Sequence, residues 1–302
     1  FYSVQQHNLF IMPVGEYGES IRYHQLFLDY LQFRVFKEQP FQAATILKQQ
    51  ASQWKRIGEW EKAFSIYKRI NAQDELISLM EEVGLEMVLN GRISTLSTWL
   101  DSLPIDVLNS RPYIIALQGN VAMVLGNTSL ALSLFNQTLE LMDLQENKEL
   151  FINTLSMRAA VNRVLGRIDE AKKDGEEIID LVGEDKSFIK KRGEAFRIIG
   201  LCDFHQGNLH TALENLEVAL NIMSSMSDNK NLAILQVEIG LVHENLGNYN
   251  QTKTYYQAAL DYWKKVMNPF WLSTILNNLG VLHQMLGEYV EANESFDQAL
   301  SF

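Results

Sequence analysis

The apolar positions of this chain fall in stripes with the period of an α-helix, and glycines interrupt those stripes at near-regular intervals. No run alternates apolar and polar residues with the period of two that marks a strand. The interrupting glycines are Gly58, Gly91, Gly126, Gly166, Gly207, Gly247 and Gly287, spaced 33, 35, 40, 41, 40 and 40 residues apart. A fixed period of that size means a stacked array of small units. Seven residues before each glycine stands a small residue: Ala51, Gly84, Gly119, Ala159, Gly200, Gly240 or Gly280. Seven residues are two helical turns, so this position faces a partner helix where two backbones approach closely. The turn glycine ends the first helix in a left-handed conformation. The residue two later opens the second helix, whose inner stripe carries a small residue at plus five and a large one at plus nine. In the last unit these are Tyr289, Ala292 and Phe296.

This pattern resembles the tetratricopeptide repeat, a helical hairpin with small residues at its crossing points. The match is fullest from Gly200 to Ala299. Leu96 stands where alanine is usual, and Gly175 where an aromatic is usual. The period near 40 exceeds the usual 34, which predicts either an extra turn on the helices or longer links, such as residues 223–229. The expected fold is all-α: a right-handed superhelix of about seven such hairpins over residues 41–302.

Residues 7–36 break the pattern. They read His7-Asn8-Leu9-Phe10-Ile11-Met12-Pro13, a glycine-containing turn over residues 15–18, then Arg22-Tyr23-His24-Gln25-Leu26-Phe27. Tyr23, Leu26, Phe27, Tyr30 and Leu31 share one face of a helix. This run resembles the end of the winged-helix segment in the large ATP-binding, LuxR-type transcription regulators, the signal-transduction ATPases that include the maltose-regulon activators. Two later stretches resemble the same family. One is Ala51-x-x-Trp54-x-x-x-Gly58 with Ala63. The other runs from Gly91 through Leu96, Trp99, Leu100, Leu103 and Pro104 to Arg111-Pro112. The resemblance implies that residues 1–40 close a winged-helix segment and that ATP or ADP is bound in a domain upstream of this chain. It also implies that Tyr23 and His24 sit at an interdomain contact, with His24 in the place of the nucleotide-sensing histidine of the Met-His-Asp motif of related ATPases, although Gln25 departs from that motif's Asp. The absence of a starting Met and the ending inside a repeat read as a fragment of a larger, cytoplasmic protein with scope for self-association.

Composition narrows the functional classes. The 302 residues carry 26 Lys and Arg against 37 Asp and Glu, a net charge of −11. That disfavours a nucleic-acid surface, which needs clustered cations; the one basic run, Lys190-Lys191-Arg192, reads as a solvated helix end. Cys202 is alone, so an internal disulfide is impossible, as fits a reducing compartment. No apolar stretch is long enough for a membrane span. The six histidines show no metal-ligand spacing, and neither a phosphate-cradling loop nor a nucleophile elbow is present. The chain therefore reads as a binding module, with no enzyme and no metal.

The resemblance to the tetratricopeptide repeat implies that the first helix of each hairpin lines the inside of the superhelix, at positions 13, 10, 6, 3 and 2 before the turn glycine. This choice selects Arg163, Arg197, Phe204, His205, Glu244, Asn277 and Gln284 as candidate ligand contacts. Arg197, Phe204 and His205 place a cation, an aromatic face and a titratable ring within two turns of one helix, a set suited to an anion. The expected function is to sense an inducer or a protein or peptide partner on the concave face, as part of an ATP-dependent transcription regulator. The rival reading is a generic scaffold that binds peptides without a regulatory ATPase.

Overall fold

A computed structural model of the chain describes residues 11–14, 20–144 and 147–302. The chain forms two compact units, Phe1–Met87 and Val88–Phe302. The first contains strands β1 (Ile11–Val14) and β2 (Ser20–Tyr23), then helices α1 (Gln25–Glu38), α2 (Pro40–Arg56) and α3 (Trp60–Arg69), with most of α4 (Gln73–Leu89). The two strands pair antiparallel, Ile11 opposite Tyr23. This hairpin corrects the reading of Tyr23 as the first residue of a helix face. Ile11, Val14, Ile21 and Tyr23 are β-branched or aromatic residues that favour a strand, so Tyr23 ends β2 and the helix face begins only at Leu26. Residues 7–10 of the N-terminal motif and the turn over residues 15–18 lie outside the described residues.

The second unit runs through α5 (Ile93–Leu100), α6 (Ile105–Ser110), α7 (Pro112–Val124), α8 (Thr128–Leu141), α9 (Lys148–Val164) and α10 (Ile168–Val182). It continues as α11 (Ile189–His205), α12 (Leu209–Ser225), α13 (Asn229–Asn245), α14 (Tyr249–Val266), α15 (Pro269–Met285) and α16 (Tyr289–Leu300). From α7 onward the helices pair as antiparallel neighbours, α7 with α8 through α15 with α16, and each hairpin stacks on the next. The long period resides in the helices: α11, α12 and α13 have 17 residues each. The links are short, since α12 ends at Ser225 and α13 begins at Asn229, so the stretch 223–229 is mostly helix. The links turn on residues with positive φ, Ser227 and Met267 at +55° each.

All seven periodic glycines hold φ between +72° and +80°. At Gly207 the backbone closes the helix end in the expected way: Gly207 N–H donates to Phe204 C=O and Asn208 N–H to Asp203 C=O, at 3.0 and 2.9 Å, the paired bonds of a glycine-terminated helix. A Cβ at Gly207 would meet nothing within 4 Å, so the need for glycine there is conformational. Gly207→Ala is expected to lower unfolding free energy by about 1–2 kcal/mol, the left-handed penalty of an L-residue, in chemical denaturation; an unchanged midpoint would show that the turn relaxes freely.

Three hairpins are further tied between the position four before the turn glycine and the position eight after it. In successive hairpins this pair is Asn162 with Asp174, Asp203 with Asn215, and His243 stacked on Tyr255 with ring centroids 5.5 Å apart. Asn162, Asp174, Asp203 and His243 are buried at these sites and partnered, as interior polar groups must be. Lys172 of α10 reaches Asp203 of α11 at 2.6 Å, and Arg158 of α9 donates to Asn136 of α8 at 3.1 Å; both join neighbouring hairpins. The apolar core follows the same repeat. Leu216, Ala219 and Met223 of α12 pack with Leu235 and Ile239 of α13, and Tyr256, Leu260 and Trp263 of α14 with Leu272 and Ile275 of α15.

Candidate ligand-binding face

First helices of successive hairpins touch one another: α7 meets α9, α9 meets α11 and α11 meets α13. They form one continuous face, as the stacking of equal hairpins dictates. On it the structure brings Arg163, Arg197 and His205 together, from α9 and α11, with Glu238 of α13. Arg197 is held by Glu238 through a two-pronged bond, Nε to Oε2 at 2.7 Å and Nη2 to Oε1 at 2.5 Å, the geometry in which arginine grips a carboxylate best. Burial opposes the Arg197 charge, and the facing Glu238 carboxylate more than offsets it, so its pKa is raised. Arg163 is the opposite case. Its Nε is buried without a hydrogen-bond partner. Burial first, then the nearby Arg197 cation, lower its pKa, with only a partial counter-effect from Glu238. His205 is exposed, yet burial of its ring and the Arg163 charge lower its pKa and favour the neutral form. Behind them Cys202 is buried and its thiol is pushed up to about 11 by burial, so it stays a neutral thiol.

The other selected residues lie elsewhere or have other duties. Phe204 is half-buried against the core cluster of Leu201, Leu216 and Leu235 and meets the His205 ring edge-on at 5.7 Å; it is a packing residue more than an open aromatic platform. Glu244 accepts a hydrogen bond from the fully buried Tyr256 hydroxyl at 2.8 Å, which satisfies a phenol that would otherwise be stranded. Asn277 lines a separate groove of about 550 Å³ with Ser273, Thr274, Asn278, Phe296 and Leu300, and Gln284 is exposed on α15. His24 takes the N-cap position of α1 without a capping side-chain bond and is exposed; the Tyr23 side chain lies outside the described residues. Sequence reasoning missed Glu238, which falls nine before its turn glycine and so outside the five chosen positions. Its signal was present: Arg197 and Glu238 are opposite charges 41 residues apart, one repeat and one residue, which makes them neighbours on adjacent first helices.

The stretch resembling the activators' Leu-x-x-Trp-Leu-x-x-Leu sequence is core. Leu96, Trp99, Leu100 and Leu103 are all buried, so these motif positions serve packing. A family model described as the tetratricopeptide repeat matches residues 231–302. That segment is a tetratricopeptide-repeat array. It covers residues of α13 to α16, and the earlier hairpins of the second unit share its turn glycines and its small crossing residue, here Gly119, Ala159 or Gly200. Over 120 residues, 40% of this chain, the sequence is 25% identical to the HTH-type transcriptional regulator MalT of Vibrio campbellii, and equally to that of Vibrio parahaemolyticus. The matched stretch spans 13% of those relatives' length. Among solved structures, a signal transduction ATPase with numerous domains and a tetratricopeptide-repeat sensor, from Pyrococcus horikoshii, superimposes with a TM-score of 0.65 at 16% identity, over 99% of this chain and 44% of that one. A Rap protein in complex with competence and sporulation factor gives 0.65 at 16% identity, over 86% of this chain and 76% of that one. At these identities the shared property is the fold of stacked tetratricopeptide-like hairpins. Among the described residues, no helix is long and apolar enough to cross a membrane.

Proposed function

We propose that this chain is the sensing module of an ATP-dependent transcription regulator, and that it binds a peptide, a protein segment or a small inducer on its first-helix face. The observation that carries this reading is the face itself. Its helices come from different hairpins and are in lateral contact, and the Arg197–Glu238 pair ties two of them together where a ligand would lie. A ligand that prefers one spacing of these helices shifts the array toward that spacing, which is all that a sensor requires. The 25% identity to a transcription regulator over 120 residues supports the regulatory setting. In this reading ATP or ADP is held by a separate domain of the same protein, Tyr23 and His24 lie toward it, and this chain contributes recognition and no catalysis.

The test is amide hydrogen exchange on the 302-residue chain, with a peptide or small molecule first found to raise its melting temperature. Protection is expected along α9, α11 and α13. Protection confined to the second helices α10, α12 and α14 would refute the placement and favour the scaffold reading on another surface.

A further inference from the structure

We propose that Arg163, together with Arg197, forms a receptor for a single carboxylate group of the ligand. The proposal rests on the first-helix face being the binding surface and adds the ligand's chemistry. Two guanidinium groups from α9 and α11 lie near each other, and Glu238 is the carboxylate that faces them. Both Glu238 oxygens bond Arg197, so Arg163 is left without an ion-pair partner and with a buried, unsatisfied Nε. The neighbouring acids are already engaged. Asp203 holds Lys172 and Asn215, Asp174 holds Arg158 and Asn162, and Glu194 holds Lys191. His205 favours its neutral form, and the Cys202 thiol supplies no charge. Arg192, whose Nε is also unsatisfied, differs in that its other end pairs with Glu184.

A half-buried cation whose facing carboxylate is held by another arginine is unfavourable, and the array retains one on the first-helix face. The charge balance selects the ligand class. Two cations against one carboxylate leave one positive charge, so a single negative charge completes the set. A dianion would exceed it in a chain of net charge −11. The planar fork of arginine matches a carboxylate in two bonds. Such a group belongs either to a chain terminus or to an acidic side chain, and both present the same chemistry.

Two probes separate these sources: N-acetylalanine, which carries a terminal carboxylate, and N-acetylaspartic acid α-amide, which carries a side-chain carboxylate. Each is titrated into the 302-residue chain at fixed ionic strength, against N-acetylalanine amide and sodium sulfate as controls. The Arg163 Nε–H resonance, assigned by its loss in Arg163→Lys, is expected to shift saturably with at least one carboxylate probe and with neither control. The melting temperature should rise in parallel, and both responses should vanish in Arg163→Gln. That variant is expected to melt at or above the parent, because it removes an unpaired cation. Equal responses to carboxylate and amide, or a larger response to sulfate, would overturn the proposal. So would an Arg163→Gln protein that melts lower, which would mean that Arg163 already has an internal partner. Protection of α9, α11 and α13 by a ligand with no carboxylate would remove this subsite and leave the binding face standing.

Discussion

Gly240→Leu is expected to give the largest loss of stability of any single change in the tetratricopeptide-repeat segment, and Gly240→Ala already a substantial one. A Cβ at Gly240 would lie 2.5 Å from Tyr256 Cε1 and 2.7 Å from Cδ1, distances that no real pair of carbons tolerates. Tyr256 cannot swing aside. It is fully buried between α13 and α15 and its hydroxyl is fixed on Glu244. The strain must be relieved by separating α13 from α14, which also loosens the contacts of Tyr256, Leu260 and Trp263 with α15. Overpacking of this kind costs about 1–3 kcal/mol, and a leucine should exceed that range. The hairpin of Gly58 shows that separation is the deciding variable, since it accommodates Ala51, fully buried, with Tyr67 at the equivalent large position. Gly240→Ala with Tyr256→Leu should therefore cost less than the sum of the two single changes, as for contacting residues. Chemical denaturation of the parent, the two single variants, the double variant and Gly240→Leu measures this; strict additivity, or a Gly240→Leu midpoint equal to the parent's, would refute the crossing argument. Gly207→Ala serves as the contrast, because its penalty is conformational and its surroundings are open.

The same two glycine classes explain what was legible in the sequence. A repeat writes its fold many times over. A left-handed turn at Gly207 and a helix crossing at Gly240 each recur with the same spacing, so the hairpin boundaries could be read to within a residue or two. The N-terminal strands occur once, are four residues long, and carried no repeated signal. The candidate site was legible only in part. Arg163, Arg197 and His205 were found because they lie on first helices, which the period identifies. Which side chains meet on that face depends on how far each helix is rotated and offset against the next. A fixed set of five positions ignores this, and so it took Glu244, which turns inward to Tyr256, and passed over Glu238. Phe204 shows the same limit, since one residue along a helix is a rotation of about 100° and divides the core from the surface.

Arg158→Ala is expected to destabilise the second unit by about 3–5 kcal/mol at neutral pH, the cost of leaving a buried charge unpaired, and to do so in a pH-dependent way. Arg158 donates to Asp174 from Nε and Nη2, the latter at 2.5 Å, and Asp174 is 3% exposed. Without Arg158, the remaining side-chain bond to Asp174 among the described residues is the long one from Asn162 at 3.5 Å. Burial already raises the Asp174 pKa against the opposing pull of Arg158 and Asn162. Removing Arg158 removes the larger part of that pull, so the carboxyl must rise further. A group whose folded pKa lies above its unfolded value takes up a proton more readily in the folded state. Its favourable contribution is full below the unfolded pKa and is lost as pH rises through the folded one. The variant's deficit should accordingly be greatest near pH 7 and shrink as pH falls and the stranded carboxyl takes up its proton. Replacing both partners, Arg158→Met with Asp174→Leu, should recover much of the loss, because no buried charge then remains. Urea unfolding of the parent and both variants at pH 5 and pH 7 decides the matter. A deficit that is small and equal at both pH values would show that the pair is solvated and that Asp174 is not the buried anion on which the joint between α8, α9 and α10 depends.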